Sequence, residues 1–343
     1  MVNSCPKLKS DYLIIGGGVL GISLAYHLTL KGLKVTIVEK EPLLASHASA
    51  KNAGMIRQLY RNEQLSEWTT RSIANWPTEL KEKYFKETGS IVVGRKSPEH
   101  SKSLFEDRCF QSNQNELPYV YCATDGLLQS EDYVHGLNNL ALQSKNLTIF
   151  KNSKVTQLTK LASGNWELET AGNQKFECGM LINAAGAWLN SFIGNHPELQ
   201  IAAKPFVRHL FVSEGWGREE LHSDLPNHGF YWDEEAGWYR RNWTTNSQLV
   251  SACDTNPANP DDYTPNTEMN FIMADKILSN YPDLGKHLTL GQSWFCFRTY
   301  TKDQLPVIGF SQSHSNVYNL CAFGGFGMST SFAATEDAAK EIS

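Results

Sequence analysis

The sequence predicts an α/β, Rossmann-like dinucleotide-binding domain interleaved with an α+β substrate domain built on a mixed antiparallel sheet. Three observations predict it. A short apolar strand, Tyr12 to Ile15, runs directly into G-x-G-x-x-G (Gly16, Gly18, Gly21) and then into an apolar helix. The next apolar strand closes on an acid, Glu39, 18 residues past Gly21. Aromatic, strand-like segments fill Ile201 to Val250, while nucleotide-binding features fall near both ends of the chain and in its middle. Two domains that share one chain in this way do not sit as beads on a string. The expected division is 1–80, 125–203 and 293–343 for the nucleotide domain, and 81–124 and 204–292 for the substrate domain.

Each element has its own warrant. Tyr12 to Ile15 and Lys34 to Val38 are continuous apolar runs, as parallel strands covered on both faces require. Val19 to Leu30 between them is a helix ended by Gly32. Ala45 to Arg57 is small and polar, a loop with a helical piece. Glu63 to Lys86 has helical periodicity, Ser90 to Val93 is a short strand, and 95–118 is polar and irregular. Ser130 to Lys145 is helical. Leu147 to Phe150, Lys154 to Lys160, Trp166 to Thr170 and Met180 to Asn183 read as strands, with Asn165 and Gly172-Asn173 as turns of a meander. Phe271 to Leu278 and Phe332 to Ile342 are helices. Trp294 to Phe297 and Leu305 to Phe310 are apolar strands around a Thr301-Lys302-Asp303 turn.

Composition narrows the functional classes. The chain has 343 residues and a formal net charge of −5, without a run of like charge. A nucleic-acid or anionic-membrane surface is therefore not expected. Seven cysteines, at 5, 109, 122, 178, 253, 296 and 321, form no C-x-x-C pair. That disfavours a disulfide framework or zinc site and suits a reducing compartment. No apolar core precedes the first strand, and the run Leu13 to Leu30 is broken by glycines. A soluble, cytoplasmic protein without a transmembrane segment is expected.

The glycine motif states its ligand chemistry. The first glycine makes the tight turn, the second admits a pyrophosphate, and the third lets helix and strand pack. The phosphates then meet the free N–H groups at the helix start. A carboxylate at Glu39 accepts from ribose hydroxyls and repels a 2′-phosphate, which leaves NAD and FAD open.

Five blocks, in order, carry a resemblance. They are the glycine loop with Glu39-Lys40; Ser46 to Met55; Leu181 to Trp188; Trp294 to Gly309; and Ala322 to Met328. Together they resemble the D-amino-acid oxidase superfamily of FAD-dependent oxidoreductases, the group of glycine oxidase, sarcosine oxidase and D-amino-acid dehydrogenases. The pattern is most similar to bacterial D-arginine dehydrogenase. The resemblance implies an FAD-binding domain of the glutathione-reductase type.

It also implies FAD contacts from Gly16, Gly18, Gly21, Glu39 and Lys40. The second block would add His47, Ala48, Ser49, Lys51, Asn52, Ala53, Gly54 and Met55. Val155 would offer backbone to adenine, and Ala185, Gly186 and Trp188 would lie against the cofactor. Gly324, Gly325, Phe326, Gly327, Met328 and Ser329 would aim a helix start at the flavin edge where negative charge gathers.

For catalysis the resemblance implies Arg298 as the clamp on the substrate carboxylate, since a guanidinium holds a carboxylate with two parallel bonds. The other reading of Arg298 is a structural arginine paired with Asp303. Arg208, Tyr231 and Tyr60 match further substrate-side positions. The expected reaction is oxidation of the Cα–N bond of a small D-amino acid or glycine-like substrate, by hydride transfer to flavin N5. The product imine hydrolyses to a 2-oxo acid and ammonia, and oxygen or a quinone takes the electrons. An N-methyl amino-acid oxidase, a 2-hydroxy-acid dehydrogenase and a tRNA-base demodifying flavoenzyme stand as alternatives.

Three departures matter. Ser90 stands where the D-arginine enzyme has a glutamate, so a small or neutral side chain is expected. Arg57 replaces a threonine, and a cation there favours an acidic substrate. Cys296 replaces the usual glycine. It is either a small buried thiol beside non-covalent FAD or, as in monomeric sarcosine oxidase, a thioether attachment point.

Overall fold

The structure is a computed structural model that describes residues 7–94, 109–112, 119–216, 228–280, 282 and 288–343. Two large sheets and one small one make up its strands. Most of the polar stretch expected to be irregular, 95–108 and 113–118, lies outside the described residues; between them Cys109–Ser112 is a strand.

The first sheet is centred on Leu8–Ile15, which pairs in parallel with Val35–Val38 on one side and Lys175–Asn183 on the other. Leu147–Phe150 extends it in parallel beyond Val35–Val38. Alternation decides the packing. Ile14, Ile37 and Ile182 face one core, with the Val19–Leu30, Ser130–Ala141 and Gly327–Glu341 helices. Leu13, Ile15 and Leu181 face the other, with Trp166, Leu168 and Phe176 of an antiparallel meander. The long strand Lys175–Asn183 serves two neighbours on one edge: Trp166–Thr170 early, and Val317–Cys321 in parallel at its end.

The second sheet is built on the antiparallel pair Ala203–Glu214 and Thr289–Thr301, in register from Ala203 opposite Thr301 to Glu214 opposite Thr289, with one bulge. Ser247–Ser251, Trp238–Thr244, Phe230–Asp233 and Ser90–Val93 follow outward. The expected domain boundary at 293 therefore falls inside a strand of this sheet. The apolar run Trp294 to Phe297 belongs with the aromatics of 203–214, its ladder partners. Met269, Met273 and Ile277 of the Glu268–Asn280 helix pack on this sheet's outer face.

Other boundaries moved for local reasons. The helix expected over Glu63 to Lys86 is two, Glu63–Asn75 and Thr78–Tyr84, because Pro77 cannot donate into a continuing helix. Asn62 caps the first, its side chain accepting from the Leu65 N–H at 3.1 Å. The final helix begins at Gly327, earlier than its apolar periodicity suggested. The small third sheet is Met55–Ile56, Gly126–Leu128 and Phe85–Glu87, paired antiparallel. Beside it the fully buried Asp125 accepts from the Ser90 hydroxyl (2.6 Å) and the Gln58 N–H (2.9 Å).

Candidate functional site

One cavity of about 1420 Å³ runs from the C-terminal ends of the first sheet's strands to the inner face of the second sheet. That is larger than a pocket for a drug-sized ligand. At one end lies the glycine turn. Gly16 has φ +110°, and a Cβ there would sit 2.4 Å from the Ala184 carbonyl oxygen. A Cβ on Gly21 would sit 2.0 Å from the Gly16 carbonyl oxygen, so Gly21 lies beneath the turn and does not line the cavity. Gly18 does line it, with Val19 and Leu20 of the first helical turn, whose N–H groups have no carbonyl four residues back. Ser49 accepts one of them, from Val19, at 2.9 Å.

Glu39 lies on the wall beside this turn. Its carboxylate accepts from the N–H groups of Gly17 (2.6 Å) and Glu41 (2.8 Å). Burial raises its pKa, and those two donors pull the other way. Each oxygen keeps a lone pair for a ribose hydroxyl. Lys40 stands 3.8 Å from the centre of the Trp188 ring. His47 packs 4.4 Å from the same ring and meets Glu41 at 2.9 Å, its pKa lowered by burial. Trp188 donates its indole N–H to Asp261 at 2.8 Å. Val155, Ala185 and Gly186 complete this end.

The middle of the cavity is lined by Ala48, Ser49, Asn52, Ala53, Gly54 and Met55. Asn52 holds the loop, donating to the Ala48 and Ser49 carbonyls at 2.9 Å and accepting from the Gly54 N–H at 2.7 Å. Lys51 departs from expectation. It is exposed, does not line the cavity, and its carbonyl accepts from the Trp294 indole at 2.9 Å. The turn that brings Ser49 and Asn52 inward sends Lys51 out.

At the far end the second sheet supplies the charge. Ladder pairing sets Arg208 opposite Cys296 and Phe206 opposite Arg298, which places both arginines on the cavity face as diagonal neighbours. Gly325 and Gly324 make room: a Cβ on Gly325 would lie 2.6 Å from Arg298 Nη1, and one on Gly324 would lie 2.1 Å from the Tyr300 ring. Among the described residues no carboxylate forms an ion pair with Arg298 or Arg208. Asp303 accepts instead from the Thr301 hydroxyl (2.6 Å) and the Leu305 N–H (3.1 Å). Arg208 Nε donates to the Asp254 carbonyl at 2.9 Å, and its buried Nη1 has no hydrogen-bond partner. Tyr239 is buried nearby, its pKa raised by burial and pulled back by Arg298 and Arg208. Cys296 lines the cavity as a buried thiol whose pKa burial raises, against the pull of the same two arginines.

Tyr60 closes this end, its hydroxyl 3.0 Å from that of Ser329 and its ring edge-on to Phe326 at 5.1 Å. Gly327 and Met328 line the cavity beside them. Tyr231 does not reach it. On Phe230–Asp233 alternate side chains face opposite ways: Phe230 and Trp232 line the cavity, while Tyr231 packs with Trp238 and Met273 in the outer core. Trp232, Tyr300 and Glu234 are cavity residues that sequence reasoning missed. The first could have been found from this alternation; Glu234 lies just past the strand, where no periodicity applies.

The donors at the two ends fit FAD. A helix start and a ribose-accepting carboxylate stand at one end, and a glycine-built helix start stands opposite paired cations at the other. The fold and site define a flavin-dependent oxidoreductase. The chain belongs to the FAD dependent oxidoreductase (DAO) family, whose model matches residues 11–340. It is 22% identical to FAD-dependent oxidoreductase domain-containing protein 1 of Xenopus laevis, over 98% of this chain and 80% of that protein. In fold it is similar to L-proline dehydrogenase from P. horikoshii (TM-score 0.80, 19% identity, 98% of this chain and 94% of the other). It is also similar to glycine oxidase from Geobacillus kaustophilus (TM-score 0.78, 18% identity, 98% and 96%). No helix among the described residues is long and apolar enough to cross a membrane.

Proposed function

We propose that this flavoenzyme oxidises the Cα–N bond of a small amino acid, of D configuration or glycine-like, to an imine that water converts to a 2-oxo acid and ammonia. One observation carries the reading. Arg298 and Arg208 stand side by side in the cavity wall, and among the described residues neither has a carboxylate partner. Arg208 is buried and Arg298 partly so; a buried guanidinium without an anion costs several kcal/mol, and a substrate carboxylate offsets that cost.

Bound FAD supplies the acceptor for the hydrogen and electron pair that leave Cα. The protein's share is position and charge. Arg298 fixes the carboxylate by its two parallel donors, which sets the direction of the Cα–H bond and contributes several kcal/mol of barrier lowering. The neighbouring cations lower the ammonium pKa, so that the amine enters the reaction neutral and its nitrogen lone pair forms the C=N bond. Tyr60, Phe326 and Trp232 keep water from this end.

Anaerobic mixing of the holoenzyme with D-alanine, glycine and sarcosine tests the reading. The flavin absorbance should bleach, with ammonia released from the primary amines. Bleaching by 2-hydroxy acids alone would overturn it, and formaldehyde release from sarcosine as the favoured reaction would assign N-methyl oxidation instead.

A further inference from the structure

We propose that the cavity binds a second carboxylate through Arg57, so that the preferred substrate is an amino acid bearing two carboxylates. The inference rests on the amine-oxidation reading and deepens it.

Arg57 is 6% exposed and lines the cavity. Its guanidinium lies over Trp232 (4.3 Å to the ring centre) and Tyr60 (4.8 Å). Stacking occupies a guanidinium's faces and leaves its hydrogen-bonding edge for a ligand. Here Nε and Nη1 are buried and make no hydrogen bond. Among the described residues the nearest carboxylate, Glu234, stands 3.6 Å from Nη1, beyond hydrogen-bonding distance, and meets the exposed Arg61 at the same distance. Buried guanidinium donors left unpaired are costly, and an anion brought against this group lowers that cost.

Geometry places Arg57 at the substrate end. Tyr60, beneath it, is joined to Phe326 and Ser329, and the adjoining Gly325 is the residue against which Arg298 packs. Four guanidinium groups, of Arg57, Arg61, Arg208 and Arg298, line the cavity, and Glu234 stands near two of them. That surplus of positive charge favours a second carboxylate on the substrate.

The contrary expectation, a neutral side chain, came from the missing glutamate at Ser90. The structure removes its basis. Ser90 does not line the cavity, and its hydroxyl donates to Asp125. Lack of charge at Ser90 therefore says nothing about the substrate side chain.

Titration of the oxidised holoenzyme with dead-end acids, followed by the flavin absorbance at constant ionic strength, tests the assignment. Succinate and butyrate have the same carbon chain and differ by one carboxylate. Succinate should bind ~10-fold or more tightly than butyrate, the scale of one charge-assisted hydrogen-bonded contact. Arg57→Met should bring the ratio near one, and Arg57→Lys should restore part of it. In turnover, D-aspartate should exceed D-alanine in kcat/KM. Equal affinities for the two acids in the unaltered enzyme, with amines still bleaching the flavin, would overturn the second-carboxylate site and leave amine oxidation standing. That comparison needs no variant to fold. If neither acid nor any amine perturbs the flavin, both readings fall together.

Discussion

At position 298 a guanidinium that cannot be neutralised sits among Phe297, Cys296 and Tyr300, aimed into the cavity. Replacing it should remove the clamp without opening the core, since the side chain already borders open space. Arg298→Met should lower kcat/KM by ~100-fold or more, the scale of a lost charge-assisted bidentate contact together with the orientation it fixes. Flavin content should stay near that of the unaltered enzyme. A variant with normal turnover would exclude the clamp. Cys296 leads to a different measurement. A thiol must ionise to attack, and burial holds this one protonated. Acid precipitation should therefore release all the flavin into the supernatant. Yellow colour retained in the pellet would reveal a thioether at Cys296. A place on the cavity wall was legible in the sequence where a rare type stood in an apolar run, as with Arg298 and Arg208. It was not legible for Tyr231, because a strand of four residues gives equal warrant to either face until its neighbours are known.

Elements set what residues can do. The two arginines share a face only because Ala203–Glu214 and Thr289–Thr301 pair in one register. The glycines at 324 and 325 exist to admit what that ladder presents. Gly324 has φ +51° and the Tyr300 ring behind it. Gly324→Ala should lower stability by ~1–3 kcal/mol, read as a lower thermal midpoint, since it combines backbone strain with overpacking. The conservative control, Ser329→Ala, removes the hydroxyl's contacts to Tyr60 and to the Phe326 carbonyl and should shift the midpoint less. An unchanged midpoint for Gly324→Ala would deny the crowding. At this scale the sequence reported well on strands buried on both faces, such as Val35–Val38, whose apolar run has one interpretation. It reported poorly where long-range pairing decides. The stretch from 293 was expected to open the nucleotide domain's last portion, and only the ladder with Ala203–Glu214 places Thr289–Thr301 in the other sheet.

The molecule as a whole is closed by its first and last helices. His27 lies between them, 9% exposed, its Nε2 3.0 Å from the Phe332 carbonyl oxygen. Ser23 and Thr335 meet at 2.7 Å one turn away. Burial pushes the His27 pKa down to about 4 from an ordinary 6.5, against the Phe332 carbonyl, which favours the charged ring. The folded protein thus binds fewer protons here than the unfolded chain between those two values. Stability must rise with pH across that window and fall as the solution is acidified from 6.5 towards 4. The size is on the order of 3 kcal/mol for a shift of this extent. Thermal midpoints measured from pH 7 to 4 should decline, and His27→Gln should flatten the decline; identical slopes for both proteins would exclude the histidine as its source.

The same closure has a consequence during synthesis. Gly18 and Ser329, which line the cofactor cleft at its two ends, lie 311 residues apart in the chain. A nascent chain lacking the Gly327–Glu341 helix holds the strands of both sheets, yet its cleft has no wall on the Ser329 side. The cofactor cleft is therefore complete only once the Gly327–Glu341 helix has been made and has docked.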